Sequence, residues 1–174
     1  MAVLPIVIAP DPVLKTKAVA VDGVDDRIRT LLDDMLETMY DADGIGLAAP
    51  QIGLSERIIV VDVRKGEERD EKDPIKMVNP EIIATGQDRV TGEEGCLSIP
   101  SVRGDVERWD DLTCQYLDEN GDKQLIEASG LLAICIQHEI DHLDGVLFTD
   151  HLSSLKRNMA MRKLKKWRRE HDMA

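Results

Sequence analysis

The first regular hydrophobic pattern in the chain is that of an amphipathic helix near the N-terminus. Apolar residues recur at helical spacing from Ile28 to Met39, and Asp25 precedes them as a candidate N-cap. This pattern predicts a helix over about 25–41. Further along, the segment RIIVVDV at 57–63 contains four consecutive β-branched residues at 58–61, which predicts a buried strand.

A β-hairpin is predicted in the second half of the chain. Apolar residues alternate with polar ones over 112–116, and the turn signal Asn120-Gly121 follows them. The segment KQLIEA at 123–128 then returns as the partner strand. Between the buried strand and this hairpin, the charged stretch RKGEERDEKDP at 64–74 predicts an exposed loop.

Two helical patterns follow the hairpin. Residues 130–143, GLLAICIQHEIDHL, show no polar face until His138, so they predict a central helix that is buried on nearly all sides. A basic helix is predicted over about 154–170, and four of its apolar residues are expected to pack against the body: Leu155, Met159, Leu164 and Trp167. Hairpin strands and segregated helices predict an α+β fold, with antiparallel strands around the central helix, in one domain over 1–174.

Composition narrows the class of protein. A length of 174 residues with 43% hydrophobic content suits one globular domain with a sizeable core. The aromatic content of 3% and the net charge of −12 argue against a platform for stacking bases and against DNA as a partner. No stretch predicts a signal peptide or a membrane span. The cysteines are three in number and lack paired spacing, which predicts free thiols or ligands in a reducing cytoplasm.

The segment QHEIDHLDG at 137–145 predicts a metal site. Residues i and i+4 of a helix are neighbours on one face, so His138 and His142 can bind one ion while Glu139 handles the proton of a bound water. The alternative is a chance pairing in a buried helix. Ionisable residues in so apolar a helix would be costly without a partner, which favours the metal. Asp141 and Asp144 are candidates for orienting the histidines, although most such acidic residues are solvated.

A catalytic metal site of this kind needs a third protein ligand. The sequence after Glu139 offers neither the third histidine of the long metalloprotease pattern nor a glutamate outside the basic tail. Cys135 lies about two helical turns from His142, roughly 10 Å away, and is expected to line the site instead. Cys114 falls in a predicted strand. Cys96, in the Gly-flanked turn EEGCLSIP, is therefore the predicted ligand.

Three motifs together resemble those of peptide deformylases, the enzymes that remove the formyl group from the N-terminal methionine of new bacterial chains. They are GIGLAAPQ at 44–51, EGCLS at 94–98 and QHEIDH at 137–142, in the family's order. The resemblance implies N-formylmethionyl nascent peptides as substrate and one Fe²⁺ ion as the working metal. The general affinity order of the divalent ions instead favours Zn²⁺, and Zn²⁺ or Ni²⁺ can remain in purified protein.

The resemblance also implies roles for residues around the ion. The Gln51 amide and the Leu97 backbone N–H would donate to the formyl oxygen, where negative charge develops in the transition state. Ile45 and Gly46 would help hold the peptide. Its main chain would lie along the backbone near Gly46 and Gly95 as an added strand.

The methionine side chain and the peptide backbone would meet further residues by the same resemblance. A pocket for the side chain is expected from Ile45, Leu131, Ile134, Cys135 and His138. Simple core packing is the alternative for Leu131 and Ile134. Arg103 is expected to meet the peptide backbone, with an ordinary surface arginine as the alternative.

These residues imply a hydrolytic mechanism. The ion would lower the pKa of a water, the resulting hydroxide would attack the formyl carbon, and Glu139 would carry the proton to the leaving amine. A metallopeptidase remains an alternative because it hydrolyses the same kind of bond. A binding module with a structural metal site is a second alternative.

The basic C-terminal helix is a candidate ribosome contact. From Leu152 onward the chain has eight lysines and arginines against two acidic residues, Glu170 and Asp172. The resemblance implies that this helix docks at the peptide exit of the ribosome, as it does in some bacterial members of the family. The alternative is a solvated helix whose charges only complement the acidic body.

Overall fold

The computed structural model describes residues 2–63 and 72–173, which form three α-helices and seven strands. The helices are α1 (Asp26–Asp41), α2 (Gly130–Leu143) and α3 (Ser154–Glu170). The strands are β1 (Gly46–Ala48), β2 (Ile58–Val61), β3 (Ile75–Thr85), β4 (Arg89–Cys96), β5 (Ile99–Trp109), β6 (Asp111–Leu117) and β7 (Lys123–Ser129). Most of the loop predicted at 64–74 lies outside the described residues.

The strands form two antiparallel sheets. The larger has the order β1-β2-β3-β6-β7, and the smaller pairs β4 with β5. The predicted hairpin is present as β6 and β7, with Gly121 of the turn at a positive φ of 79°. The predicted α+β fold, with antiparallel strands around a central helix, is confirmed.

Strand β2 is buried on both faces because a helix covers each side of the larger sheet. Ile58 and Val60 pack in one core cluster with the apolar stripe of α1. Ile59 and Val61 point the other way and pack with α2. The alternation of side chains along a strand thus explains why this segment has no polar position: both of its faces are inside the protein.

The two internal helices begin and end close to where the sequence predicts. In α1, the Asp25 side chain accepts a hydrogen bond from the Ile28 N–H, which caps the helix as expected. Helix α2 is buried over its C-terminal part, from Cys135 onward, apart from the partly exposed His138 and Asp141. Its first turn, where Leu131 is 53% exposed, differs from the prediction of a helix buried on nearly all sides.

Strands β1, β3, β4 and β5 are absent from the sequence prediction, and for β3 the sequence itself gives the reason. Strand β3 contains Pro80 and a register shift, and Asn79 beside it has a positive φ of 51°. Proline and bulges interrupt the period-2 pattern that marks a strand. Asn79 is held by hydrogen bonds of its side chain to both backbone groups of Val21 and by its own N–H, which donates to the Arg57 carbonyl at 2.8 Å.

Helix α3 is present as predicted, and Leu164 is buried as expected, but two other residues of the predicted packing face are exposed. Ala160 and Leu164 are buried against β5 and its neighbours, whereas Leu155 is 71% exposed and Met159 is 50% exposed. Met159 precedes Ala160 by one residue, or about 100° around the helix, so the two cannot face the same partner. The prediction that Leu155 and Met159 pack against the body is therefore wrong. In the described part of the chain, no helix is long and apolar enough to cross a membrane.

Candidate metal centre

Cys96, His138 and His142 come together between the smaller sheet and α2. Their candidate ligand atoms all lie within 4.8 Å of one another, and Cys96 Sγ is 3.4 Å from His142 Nε2. The histidines stand one turn apart on α2, as the i, i+4 spacing predicts. Cys96 is the last residue of β4, at a register shift just before the turn into β5, rather than inside a free turn.

Glu94 orients His138. The Nδ1 atom of His138 lies 2.9 Å from Glu94 Oε1, and an ionised carboxylate can only accept a hydrogen bond. Nδ1 therefore carries the hydrogen, and the lone pair of Nε2 is available to a metal ion. Glu94 was missed in the sequence because it lies 44 residues from His138, and the two meet only when β4 packs beside α2.

The carboxylates predicted to orient the histidines have other partners. Asp141 Oδ2 lies 2.6 Å from Arg108 Nη1 and 2.9 Å from His151 Nε2. Asp144 pairs with Arg57 at 3.0 Å. The prediction that Asp141 and Asp144 hold His138 and His142 is therefore wrong.

Glu94 is itself held in the ionised form. Burial favours its neutral form, but hydrogen bonds from Arg108 and His138 outweigh burial and lower the pKa of Glu94 to about 2. Arg108 Nε and Nη2 donate to the two oxygens of Glu94, each at 2.9 Å. The carboxylate next to His138 is thus an acceptor across the physiological pH range.

The donor set fits a divalent transition-metal ion. One cysteine sulfur and two imidazoles are ligands of the kind that bind zinc or ferrous iron, and three protein ligands leave a coordination position open. Burial, with the nearby charge of Arg108 adding to it, holds the pKa of His142 well below its ordinary value, so its ring is in the neutral form that binds metals. His142 Nδ1 is buried without a hydrogen-bond partner among the described residues.

Glu139 stands beside the ligands as a buried carboxyl group. Burial, more than any neighbouring charge, raises the pKa of Glu139 to about 7. Its Oε1 atom has no hydrogen-bond partner in the part of the chain that the structure describes. A carboxyl group with a pKa near neutrality can both take and return a proton at physiological pH.

The orientation of the Gln51 amide follows from its contacts. Gln51 is buried, and its Oε1 atom accepts a hydrogen bond from the Ala48 N–H at 3.0 Å. Because a backbone N–H can only donate, the amide nitrogen must point the opposite way. Nε2 lies 3.1 Å from Ser98 Oγ and 3.5 Å from Cys96 Sγ. Gln51 therefore presents a donor beside a predicted ligand.

An open cavity of about 560 Å³ borders the ligands. Most of the predicted site residues line it: Ile45, Gly46, Gln51, Gly95, Cys96, Leu97, Arg103, Leu131, Ile134, Cys135, His138 and Glu139. His142 is not among the lining residues and is buried behind them. Arg103 is exposed at the rim, where its Nε donates to Glu93 Oε1 at 2.7 Å.

The two glycines of GIGLAAPQ allow close packing around this cavity. A Cβ atom at Gly44 would lie 2.9 Å from Leu97 Cδ1, and one at Gly46 would lie 2.8 Å from Cys135 Sγ. Both distances are too short for real atoms, so a side chain at either position would displace its neighbour. These glycines therefore let the backbone approach the β4–β5 turn and α2, and they form no dinucleotide-binding loop.

The N-terminal segment braces the loops that carry Gln51 and Cys96. The Val7 N–H donates to the Gln51 carbonyl at 2.7 Å, and the Ala9 N–H donates to the Ser98 carbonyl at 2.9 Å.

The other two cysteines are buried thiols. Cys114 lies in the core on β6, where burial raises the pKa of its thiol to about 11. Cys135 is also a buried thiol with a raised pKa, for the same reason.

Comparison with known proteins finds similarity over almost the whole chain. A family model described as Polypeptide deformylase matches residues 3–158. A peptide deformylase of Agrobacterium fabrum is 54% identical over 167 residues, which cover 95% of this chain and 96% of that protein. The crystal structure of peptide deformylase from Ehrlichia chaffeensis has a TM-score of 0.93 at 42% identity and covers 99% of this chain and 100% of that one. Its complex with actinonin gives 0.92 at 44% identity, covering 97% and 99%.

Proposed function

The chain belongs to the polypeptide deformylase family, and on that premise we propose how its own residues carry out the family's reaction. It is a metal-dependent hydrolase that removes the N-formyl group from newly synthesised polypeptides. The observation that carries the residue assignments is the convergence of three ligand atoms within 4.8 Å beside the buried carboxyl group of Glu139.

Cys96, His138 and His142 hold one divalent ion in this proposal. When bound, the ion supplies Lewis-acid chemistry, which makes a water molecule acidic enough to act as a nucleophile near neutral pH. Glu139 accepts the proton from that water and delivers it to the leaving amine. Its raised pKa, about 7, suits both steps.

Gln51 and Leu97 stabilise the charge that develops on the formyl oxygen. The fixed orientation of the Gln51 amide, with Nε2 toward Cys96, supports this role because the donor needs no rearrangement before the reaction. The backbone N–H of Leu97 lies in the turn that follows Cys96 and supplies the second donor. Both groups line the same cavity.

The cavity binds the formylated N-terminus of the substrate. The methionine side chain occupies the part formed by Ile45 and the N-terminal half of α2, where Leu131, Ile134 and Cys135 lie. The peptide main chain runs as an added strand beside Gly46 and Gly95. Arg103, at the rim, contacts the peptide backbone.

Ferrous iron is the working ion in this proposal, and zinc is the ion that aerobic purification favours. One thiolate and two imidazoles suit both metals, so the donor set supports the family's chemistry without choosing between them. We place the enzyme in the cytoplasm as one catalytic domain. The three free cysteines support a reducing compartment.

Helix α3 is proposed to contact ribosomes. It exposes lysines such as Lys163 and Lys165 together with the apolar side chains of Leu155 and Met159. This combination supports contact with a partner that offers both phosphate and apolar surface. The helix takes no part in the chemistry.

Formate release tests the assignment. The purified chain is expected to release formate from a formyl-Met peptide while leaving an acetylated peptide and an internal peptide bond intact. Bound metal is quantified on the same sample. Cleavage of the internal bond would instead identify a metallopeptidase, and stoichiometric metal without any turnover would identify a structural metal site.

A further inference from the structure

Arg108 joins the strand that carries Cys96 to the helix that carries both histidines. It lies on β5, and two of its nitrogens donate to the two oxygens of Glu94 on β4, each at 2.9 Å. Its third contact is a hydrogen bond from Nη1 to Asp141 Oδ2 on α2, at 2.6 Å. The Arg108 side chain is only 5% exposed. One buried guanidinium thus connects three elements.

We propose that Arg108 is a positioning residue for the metal centre. Its side chain holds Glu94 against His138 and fixes the separation between β4 and α2. The inference rests on the proposed function because it concerns the same three ligands. Glu94 and Cys96 both lie on β4 and both reach α2, where Glu94 Oε1 is 2.9 Å from His138 Nδ1 and Cys96 Sγ is 3.4 Å from His142 Nε2. Any movement of this strand changes a ligand and the partner of another ligand together.

The path from Arg108 to the ligands is short on both sides. On one side, Glu94 Oε1 accepts a hydrogen bond from His138 Nδ1 at 2.9 Å, which turns the Nε2 lone pair toward the ion. On the other side, Asp141 immediately precedes His142 in α2. Its contact with Arg108 therefore sets the distance between β4 and the helical turn that carries His142. All three ligands are therefore located relative to a single side chain.

The geometry requires arginine rather than a positive charge alone. A guanidinium offers N–H groups in a rigid planar fork that can hold both oxygens of Glu94 and reach a second carboxylate. A lysine ammonium is a point charge on a flexible stem and cannot reproduce the paired contact. Without Arg108, the negative charges of Glu94 and Asp141 would lose a positive partner inside the protein. Glu94 would then turn away from His138 to reach water.

Arg57 provides a matched control because it also ties α2 to the rest of the protein. Its Nη2 pairs with Asp144 at 3.0 Å, and its Nη1 donates to the Leu143 carbonyl at 2.9 Å. The side chain is 18% exposed. Among the described residues, the side chain bonds to Asp144 and to the carbonyls of Leu143 and Ala18. None of these is a metal ligand or Glu94, so the loss of Arg57 tests the effect of loosening α2 alone.

Release of the ion measures the positioning role directly. The full-length protein and the variants Arg108→Met, Arg108→Lys and Arg57→Met are loaded with Zn²⁺, and transfer of Zn²⁺ to a coloured chelator is followed. We expect Arg108→Met to release the ion about tenfold faster or more, with Arg108→Lys in between. Arg57→Met should stay within about twofold of the parent, even if its thermal midpoint falls as far as that of Arg108→Met.

Equal acceleration in Arg57→Met, or parental release rates in both Arg108 variants, would overturn the inference. If Arg108→Met does not fold, the pair Arg108→Lys and Glu94→Gln decides. We expect the protein that carries both substitutions to release the ion little faster than the faster of the two single variants, because the two residues act as one unit. Independent, multiplying effects would contradict this. A parent that binds no ion would overturn the metal centre itself, whereas a formate-releasing parent with unaffected variants overturns only the role of Arg108.

Discussion

The carboxyl group of Glu139 occupies the space that a side chain at Gly46 would need. A Cβ atom built at Gly46 would lie 2.9 Å from the Cδ atom of Glu139, closer than two unbonded carbon atoms can approach. Strand β1 therefore forms one wall around the proposed catalytic acid and base. The Glu139 carboxyl group can occupy its position only because residue 46 has no Cβ atom.

Replacing Gly46 with alanine should push Glu139 away from its position and lower kcat/KM for a formyl-Met peptide by about a hundred-fold. Bound metal should remain, since the atoms nearest to the added methyl group belong to Glu139 and Cys135 and not to a ligand. Gly92→Ala, on β4 with no atom within 4 Å of the new Cβ, is the control and should keep activity. Normal turnover by Gly46→Ala would contradict this account of Glu139.

The three cysteines should separate by metal retention. Cys96→Ala should lose both activity and bound ion, because only two protein ligands remain. Cys114→Ala should keep the ion, since Cys114 lies in the core on β6, and so should Cys135→Ala. Metal analysis of the three purified variants checks this, and stoichiometric metal in Cys96→Ala would remove Cys96 from the ligand set.

Cys114 should react slowly with alkylating reagents in the folded protein. Burial raises the pKa of its thiol to about 11, so at pH 8 roughly one molecule in a thousand carries the reactive thiolate. Because the folded-state pKa lies above that of a free thiol, the rate should rise with pH until about 11. Mass spectrometry after iodoacetamide treatment, with and without guanidinium, measures the difference, and rapid labelling of the folded protein at pH 8 would contradict it.

The identity of the ion should be visible in activity and air sensitivity. Protein loaded anaerobically with Fe²⁺ should turn over a formyl-Met peptide about tenfold faster than the Zn²⁺ form, and it should lose activity in air. The Zn²⁺ form should be unaffected by air because zinc has no accessible redox change. Equal activity with both ions, unchanged by oxygen, would show that iron has no special role.

The basic surface of α3 should govern ribosome binding without affecting catalysis. Changing the exposed Lys163 and Lys165 to glutamine should weaken co-sedimentation with ribosomes at low salt. Fewer RNA phosphates are then neutralised, so fewer of their bound cations are released on binding. Turnover of a short formyl-Met peptide should remain within about twofold of the parent. The control changes two exposed lysines on the body, Lys17 and Lys123. Equal loss of binding in both variants would mean that only total charge matters.

The elements that carry the predicted ligands differ in how visible they are in sequence. Helix α2 was predicted because its apolar run is long and its histidines have helical spacing, both of which are local properties. Cys96 was predicted by excluding other ligands, since its strand was not recognised. Strands β4 and β5 contain several glycines and Pro100, and their partly exposed faces do not alternate cleanly.

The contacts around the ligands could not be predicted because they depend on positions far apart in the chain. Glu94 was overlooked in favour of Asp141 and Asp144, which are nearer to the histidines in sequence but face Arg108 and Arg57. On α3, Leu164 is buried as predicted, but Leu155 and Met159 are exposed. A helical pattern indicates which residues share a face, but the shape of the partner surface decides which face is buried.

Strand β2 raises a question of folding specificity, because apolar side chains on both faces leave hydrophobicity unable to fix its alignment. A shift of β2 by one residue would exchange Ile58 with Ile59, and both helices would still meet an apolar side chain. Polar contacts beside the strand must therefore encode the alignment. Asn79 supplies them, since its backbone N–H binds the Arg57 carbonyl while its side chain holds Val21. One asparagine outside the core thus helps to select the native pairing from near-equivalent misaligned ones.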